Sequence, residues 1–152
     1  MNELNKTQIN IAFATDDNYV MPTSVAMASL LENNQVDVSI YLLNIEGYLS
    51  EKNKEILKIV ADKYNSTIYF ADVAPEQFDG FPILRHGLSS YLRLLAPKLF
   101  TDIDKLLYLD ADIVVEGQIL ELYNTNIDDY QFAGVADTVS LNAEHLQGTS
   151  KN

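Results

Sequence analysis

Residues 9–19 read INIAFATDDNY, a short apolar run that stops at a polar cluster. This pattern is typical of a buried strand, predicted at 9–15, that ends in a loop. Pro22 then stands where the first turn of a helix tolerates proline, and small apolar side chains continue as far as Asn33 and Asn34. The chain is therefore predicted to open with a strand, a loop and a helix.

The same alternation continues along the rest of the chain. Further strands are predicted at 36–44, 67–71, 105–109, 113–116 and 131–136. Further helices are predicted from Ser50 onward, over 88–99 and as a single turn at 119–123. The alternation indicates an α/β fold, a mainly parallel sheet with helices on both faces that binds ligands at the carboxyl ends of its strands. We expect one domain over 9–140, between a flexible N-terminus at 1–8 and a polar tail at 141–152.

The composition narrows the classes of function. The chain has 152 residues, of which 47% are apolar, and this is enough for one domain with a buried core. Its net charge of -12 argues against a nucleic-acid partner, because phosphate backbones are met by clustered cations. The absence of cysteine excludes disulfides, thiolate zinc sites and cysteine nucleophiles. No stretch resembles a signal peptide or a membrane span, so we expect a cytoplasmic protein.

Asp110-Ala111-Asp112 is the sharpest chemical signal in the sequence. Residues two apart in an extended chain point the same way, so the two carboxylates can bind one hard divalent cation that also contacts a nucleotide diphosphate. A second pair, Asp102 and Asp104, precedes the same apolar run and is expected at the amino end of the strand, away from the ligand crevice. We assign that second pair to a turn or a cap. For Asp110 and Asp112 the alternative is a solvated loop.

The polar cluster after the first strand is the second signal. Asp16 and Asn18 can hydrogen-bond to a ribose hydroxyl or to uracil, and Tyr19 offers a ring for stacking. An α/β sheet usually meets a base and ribose at this end of its strands. The alternative is an ordinary helix entry, in which an Asp or Asn side chain caps the helix that begins near Pro22.

The two arginines of the chain, Arg85 and Arg93, lie close together in the sequence. Arg93 lies off the apolar stripe of its predicted helix, so its guanidinium can pair with a diphosphate or with the acidic pair, and a surface ion pair is the alternative. His86 ends a connection, 72–86, that is longer than usual and of the kind that is often functional. It could contact a sugar, or it could be structural or merely exposed.

Three segments together resemble family 8 glycosyltransferases: IAFATDDNY at 11–19, FPILRHGLSSYLRLLAPKLF at 81–100 and KLLYLDADIVV at 105–115. Three motifs in the right order are far more specific than any one of them, and the resemblance covers about residues 9–137. It implies a Rossmann-like GT-A fold. It also implies retaining transfer of a hexose from UDP-glucose or UDP-galactose to a saccharide or lipopolysaccharide acceptor, with Mn²⁺ or Mg²⁺ as cofactor.

The resemblance implies roles for individual residues as well. Asp110 and Asp112 would bind the metal, Arg93 and Asp137 would act in catalysis, and His86 would face the acceptor. The residues that would contact the nucleotide-sugar are Ala14, Thr15, Asp16, Asn18, Tyr19, Arg93, Asp110, Ala111 and Asp112.

The chain departs from this family at its end. Family members continue through an N-A-G segment, a Q-D-Q-like acidic loop and a late motif whose histidine is a third metal ligand, and the sequence contains none of these. We therefore expect a truncated chain that binds its donor weakly, has little transfer activity and self-associates through surface that the missing half would cover. The alternative is a non-catalytic α/β regulatory or scaffold domain that binds no nucleotide.

Overall fold

The computed structural model describes residues 8–82 and 87–135. The strands are β1 (Gln8–Ala14), β2 (Asp37–Ile45), β3 (Thr67–Val73) and β4 (Leu107–Tyr108). The α-helices are α1 (Val20–Asn33), α2 (Glu51–Lys63), α3 (Leu92–Leu99) and α4 (Leu120–Tyr123), with short 3-10 helices at Pro75–Phe78 and Leu88–Tyr91. The helix predicted over 88–99 is therefore a 3-10 turn followed by α3. Within the described ranges, no helix combines the length and apolar character needed to span a bilayer.

The four strands form one parallel sheet in the order β3-β2-β1-β4. β1 is central: it pairs along its whole length with β2 but at only two positions, Ile11 and Ala12, with β4. β4 is accordingly shorter than the predicted 105–109, although the Leu109 N–H still donates to the Ala12 carbonyl at 2.9 Å. The chain thus runs outward from β1 to β2 and β3 and then returns to the other side of β1.

Successive side chains of β1 point to opposite faces of this sheet. Ile9, Ile11 and Phe13 are fully buried in a cluster that includes apolar residues of α1 and α2. Ala12 belongs to a second cluster, together with Leu92 of α3. The predicted parallel sheet with helices on both faces is confirmed.

The strand predicted at 113–116 is wrong. Val115 is held by side chains of α1 instead of by a neighbouring strand: its N–H donates to Ser29 Oγ at 3.0 Å, and its carbonyl accepts from Asn33 Nδ2 at 2.9 Å. These side chains satisfy the backbone groups that a sheet ladder would otherwise pair. The apolar run at this point is typical of a strand, but its hydrogen-bond partners are helical side chains.

The strand predicted at 131–136 is also wrong over 131–135, and Ala136 lies outside the described residues. Phe132 is 85% exposed and Val135 is 88% exposed. A strand needs a neighbour that exchanges backbone hydrogen bonds with it, and no described strand pairs with this segment. Its apolar side chains therefore lie on the surface.

Candidate functional site

The strand order reverses beside β1, and this reversal locates the candidate site. The loops 15–19 and 109–112 leave the sheet from the carboxyl ends of β1 and β4, which are neighbours. Ligands of parallel α/β sheets bind in the crevice outside such a reversal. Asp102 and Asp104 lie in a turn and a bend before β4, at its amino end. The fold therefore separates the two aspartate pairs as the sequence predicts.

Asp16 organises the loop that follows β1. Its Oδ1 accepts the backbone N–H groups of Asn18 at 2.9 Å and Tyr19 at 3.0 Å. These bonds form a turn within the loop and are not a helix cap, because the N-cap residue of α1 is Tyr19 and this helix has no side-chain cap hydrogen bond. The capping alternative is therefore wrong. Asn18 is exposed and Tyr19 is 47% exposed, so both residues are accessible to a ligand.

Thr15 lies beneath this loop. It is only 3% exposed, and its hydroxyl is 2.8 Å from that of Thr23, which in turn donates to the Tyr19 carbonyl at 2.7 Å. The Thr15 N–H continues the ladder to the Leu43 carbonyl. The Thr15 side chain therefore supports the loop from inside the fold, and Ala14 before it is half-buried.

Asp17 makes a different set of contacts from its neighbour Asp16. Its Oδ1 accepts from the Ser50 N–H at 2.8 Å, from the Ser50 hydroxyl at 3.0 Å and from Asn53 Nδ2 at 2.8 Å. The Ser50 backbone N–H and then the Asn53 amide lower the pKa of Asp17. Stability from these bonds is therefore fully present above the usual pKa of an aspartate and is lost as pH falls through the lowered value.

Sequence reasoning missed this clamp between the β1 loop and α2. The available signals were Ser50, a residue typical of the position before a helix, and Asn53 three residues later. Ser50 does occupy the N-cap position of α2, but its hydroxyl donates to Asp17 instead of capping its own helix. Whether Asp16 or Asp17 accepts this hydrogen bond depends on how the β1 loop and the segment before α2 are placed. A local sequence pattern does not specify that placement.

Asp110 and Asp112 follow β4 in an irregular segment rather than in extended strand. Ala111 and Asp112 form a turn, and Ala111 is only 7% exposed. Asp110 and Asp112 are exposed. Both carboxylates are therefore available from solvent, but the strand geometry used to predict that they point the same way does not apply here.

Arg93 of α3 reaches Asp110 and is held in place by two further contacts. Its Nη2 is 3.1 Å from Asp110 Oδ1, its Nε donates to the Ser90 carbonyl at 3.1 Å, and its guanidinium lies 4.9 Å from the centre of the Tyr108 ring. Burial raises the pKa of Tyr108, and the charge of Arg93 partly opposes that shift. The acidic segment was one of the two partners that the sequence suggested for this guanidinium.

The side chains at the carboxyl end of β4 are of the type that holds a hard divalent cation. Asp110 and Asp112 offer carboxylate oxygens, the ligands that Mg²⁺ and Mn²⁺ prefer, when substrate oxygens and water supply the remaining positions. The described part of the chain contains no group of three acidic or histidine side chains placed to hold a metal. His86, Arg85 and Asp137 lie outside the described residues. Among the described residues, the site thus offers two exposed carboxylates of a type that divalent cations prefer, without a third such side chain beside them.

Residues 10–152 match the family model for glycosyl transferase family 8. A lipopolysaccharide 1,2-glucosyltransferase of Escherichia coli is 33% identical over 140 residues, which are 91% of this chain and 41% of that enzyme. Among solved structures, an active-site mutant of LgtC superposes with a TM-score of 0.80 at 31% identity, over 92% of this chain and 49% of that one. A complex of the galactosyltransferase LgtC with donor and acceptor sugar analogs gives a TM-score of 0.70 at 33% identity, over 78% of this chain and 43% of that one. The chain spans less than half the length of each of these proteins, and the predicted GT-A type of α/β fold is confirmed.

Proposed function

Because this chain belongs to glycosyltransferase family 8, we propose that it forms the nucleotide-sugar-binding half of a retaining hexosyltransferase. Its donor would be UDP-glucose or UDP-galactose, its cofactor Mn²⁺ or Mg²⁺, and its acceptor a saccharide such as lipopolysaccharide. The observation that carries this proposal is the pairing of Arg93 with Asp110 at the carboxyl end of β4, beside the point where the β1 loop leaves the sheet. A fixed cation beside carboxylates is suited to a ligand that carries both a diphosphate and a metal ion.

Each part of the site has a separate task in this proposal. Asp16, through the oxygen not used within its loop, and Asn18 would bind ribose and uracil, while Tyr19 would stack on the base. Ala14, Thr15 and Ala111 would contribute backbone and close packing. Asp110 and Asp112 would hold the divalent cation, which when bound neutralises the diphosphate and favours departure of UDP.

Arg93 would orient the diphosphate or the donor sugar, since three contacts limit the directions that its guanidinium can take. Asp137 would act near the donor sugar, and His86 would meet the acceptor. The chain matches less than half the length of its relatives, and its described residues contain no group of three side chains placed to hold a metal. The chain alone is therefore proposed to bind donor weakly and to transfer little or no sugar. A cytoplasmic location and self-association stay predictions.

Calorimetric titration of UDP into the chain, with and without Mn²⁺, tests this proposal. We expect binding that depends on Mn²⁺, because the cation offsets repulsion between the diphosphate and an acidic chain. A chain with the circular dichroism of a folded α/β domain that binds no UDP at any Mn²⁺ concentration would instead support a regulatory or scaffold domain without nucleotide.

Replacing Arg93 by Gln is expected to weaken UDP binding roughly 10-fold, because a charged hydrogen bond to phosphate is lost from a half-exposed position. Uridine lacks the diphosphate, so its affinity, followed by NMR titration, should not change. Lys98→Gln on the same helix removes a cation whose Nζ bonds to Gln77, and it serves as the matched control. Equal losses for uridine and UDP in Arg93→Gln would contradict the diphosphate role.

A further inference from the structure

The β1 loop and the loop before α2 are joined at Asp17 through both its side chain and its backbone. One carboxylate oxygen accepts from Ser50 twice and from Asn53 once, all within 3.0 Å. The Asp17 N–H donates in addition to the Tyr48 carbonyl at 2.9 Å. Four hydrogen bonds therefore connect this single residue to the chain segment at the start of α2.

The residues on either side of Asp17 are those proposed to bind the nucleoside. In the part of the chain that the structure describes, the Asp16 carboxylate bonds within its own loop alone, to the N–H groups of Asn18 and Tyr19. Among the described residues, Asp17 is the one member of the loop whose side chain is hydrogen-bonded to α2 or to the segment before it. The loop is also held at its start by the buried Thr15, and at its far end, where the Thr23 hydroxyl donates to the Tyr19 carbonyl.

We infer that Asp17 is a positioning residue: it binds no ligand itself but fixes the loop that presents Asp16, Asn18 and Tyr19 to the uridine of the donor. This inference rests on the proposed function. A carboxylate suits the task because all three donors converge on one oxygen, and a negative charge is stabilised at the N-terminal end of a helix. An exposed aspartate with no ligand role would otherwise have little effect on a binding site.

Two readouts separate positioning from general stabilisation. The first is UDP affinity in the presence of Mn²⁺, measured well below the unfolding temperature in Asp17→Ala and in Asn53→Ala, which breaks the same contact from the α2 side. We expect affinity to fall about 10-fold in Asp17→Ala and less in Asn53→Ala, with binding of Mn²⁺ alone unchanged. The exchanged pair Asp17→Asn with Asn53→Asp keeps one carboxylate and one amide facing each other and should restore much of the affinity.

The second readout is amide hydrogen exchange, which needs no ligand. In Asp17→Ala the amides of Asn18 and Tyr19 should exchange at least about 10-fold faster, while that of the buried Leu30 in α1 keeps its wild-type rate. Unchanged exchange at Asn18 and Tyr19, or wild-type UDP affinity in folded Asp17→Ala, would overturn the inference. If the wild-type chain binds no UDP, the proposed function fails, and the exchange rates still decide whether Asp17 orders the loop. If Asp17→Ala does not fold, the same exchange and affinity measurements on Asn53→Ala test the inference.

Discussion

Replacement of Asp110 and Asp112 together by asparagine is expected to remove the Mn²⁺ dependence of UDP binding and to weaken it by about 100-fold. The amides keep the size of the side chains but remove two negative charges, and each charged contact contributes about 1.5 kcal/mol or more. The double change also frees Arg93 from its ion pair with Asp110. Calorimetry with and without Mn²⁺ measures both effects.

The matched control is the double change of Asp102 and Asp104 to asparagine. It removes the same charge from the same segment of chain, but at the amino end of β4, where both aspartates are exposed. UDP affinity should remain within a factor of about two of the wild type, because charges exposed to solvent at the opposite end of the sheet are strongly screened. An equal loss in both double variants would show that Asp110 and Asp112 form no specific metal site.

Replacement of Phe13 by alanine is expected to lower the free energy of unfolding by about 3–5 kcal/mol. Phe13 is fully buried in the central strand, within the cluster formed with α1 and α2, so its loss leaves a cavity that neighbouring helices cannot easily fill. Because a domain is stable by only about 5–15 kcal/mol, this one change can leave much of the chain unfolded.

Urea denaturation followed by circular dichroism measures the change, and Phe132→Ala is the control. Phe132 is 85% exposed, so the same truncation there should alter the free energy of unfolding by less than about 0.5 kcal/mol. A large loss from Phe132→Ala would indicate that the segment is covered in solution, for example by a second copy of the chain. A small loss from Phe13→Ala would contradict its position in the core.

The fold was predictable wherever local patterns carry the information. The apolar run at 9–15 ends at a polar cluster, and in the structure β1 ends at Ala14, just before Asp16. The strand predicted at 113–116 failed because its partners are Ser29 and Asn33, side chains of a helix far away in sequence. An apolar run indicates that a segment is buried. It does not indicate whether a neighbouring strand or the side chains of a helix pair with its backbone N–H and carbonyl groups.

The candidate site shows the same division. Its two polar loops were recognisable because Asp16 and Asp110 each follow an apolar strand. The different contacts of Asp16 and Asp17 were not predictable, since both are aspartates in the same loop and only the position of α2 distinguishes them. The contacts that hold Arg93 were likewise not predictable, because Tyr108 and Asp110 belong to a different element from Arg93 and meet it only in the folded chain.

The sequence by itself determined the order of β1 to β4 and of the helices that join them, the family, and which carboxylates follow which strand, because hydrophobic periodicity and short motifs are local properties of the chain. Only the tertiary structure decided the strand order β3-β2-β1-β4, which makes neighbours of the loops after β1 and β4. It also decided the pairing of Arg93 with Asp110 and the clamp at Asp17. These contacts join residues distant in sequence, and they depend on how α2 and α3 pack on opposite faces of one sheet.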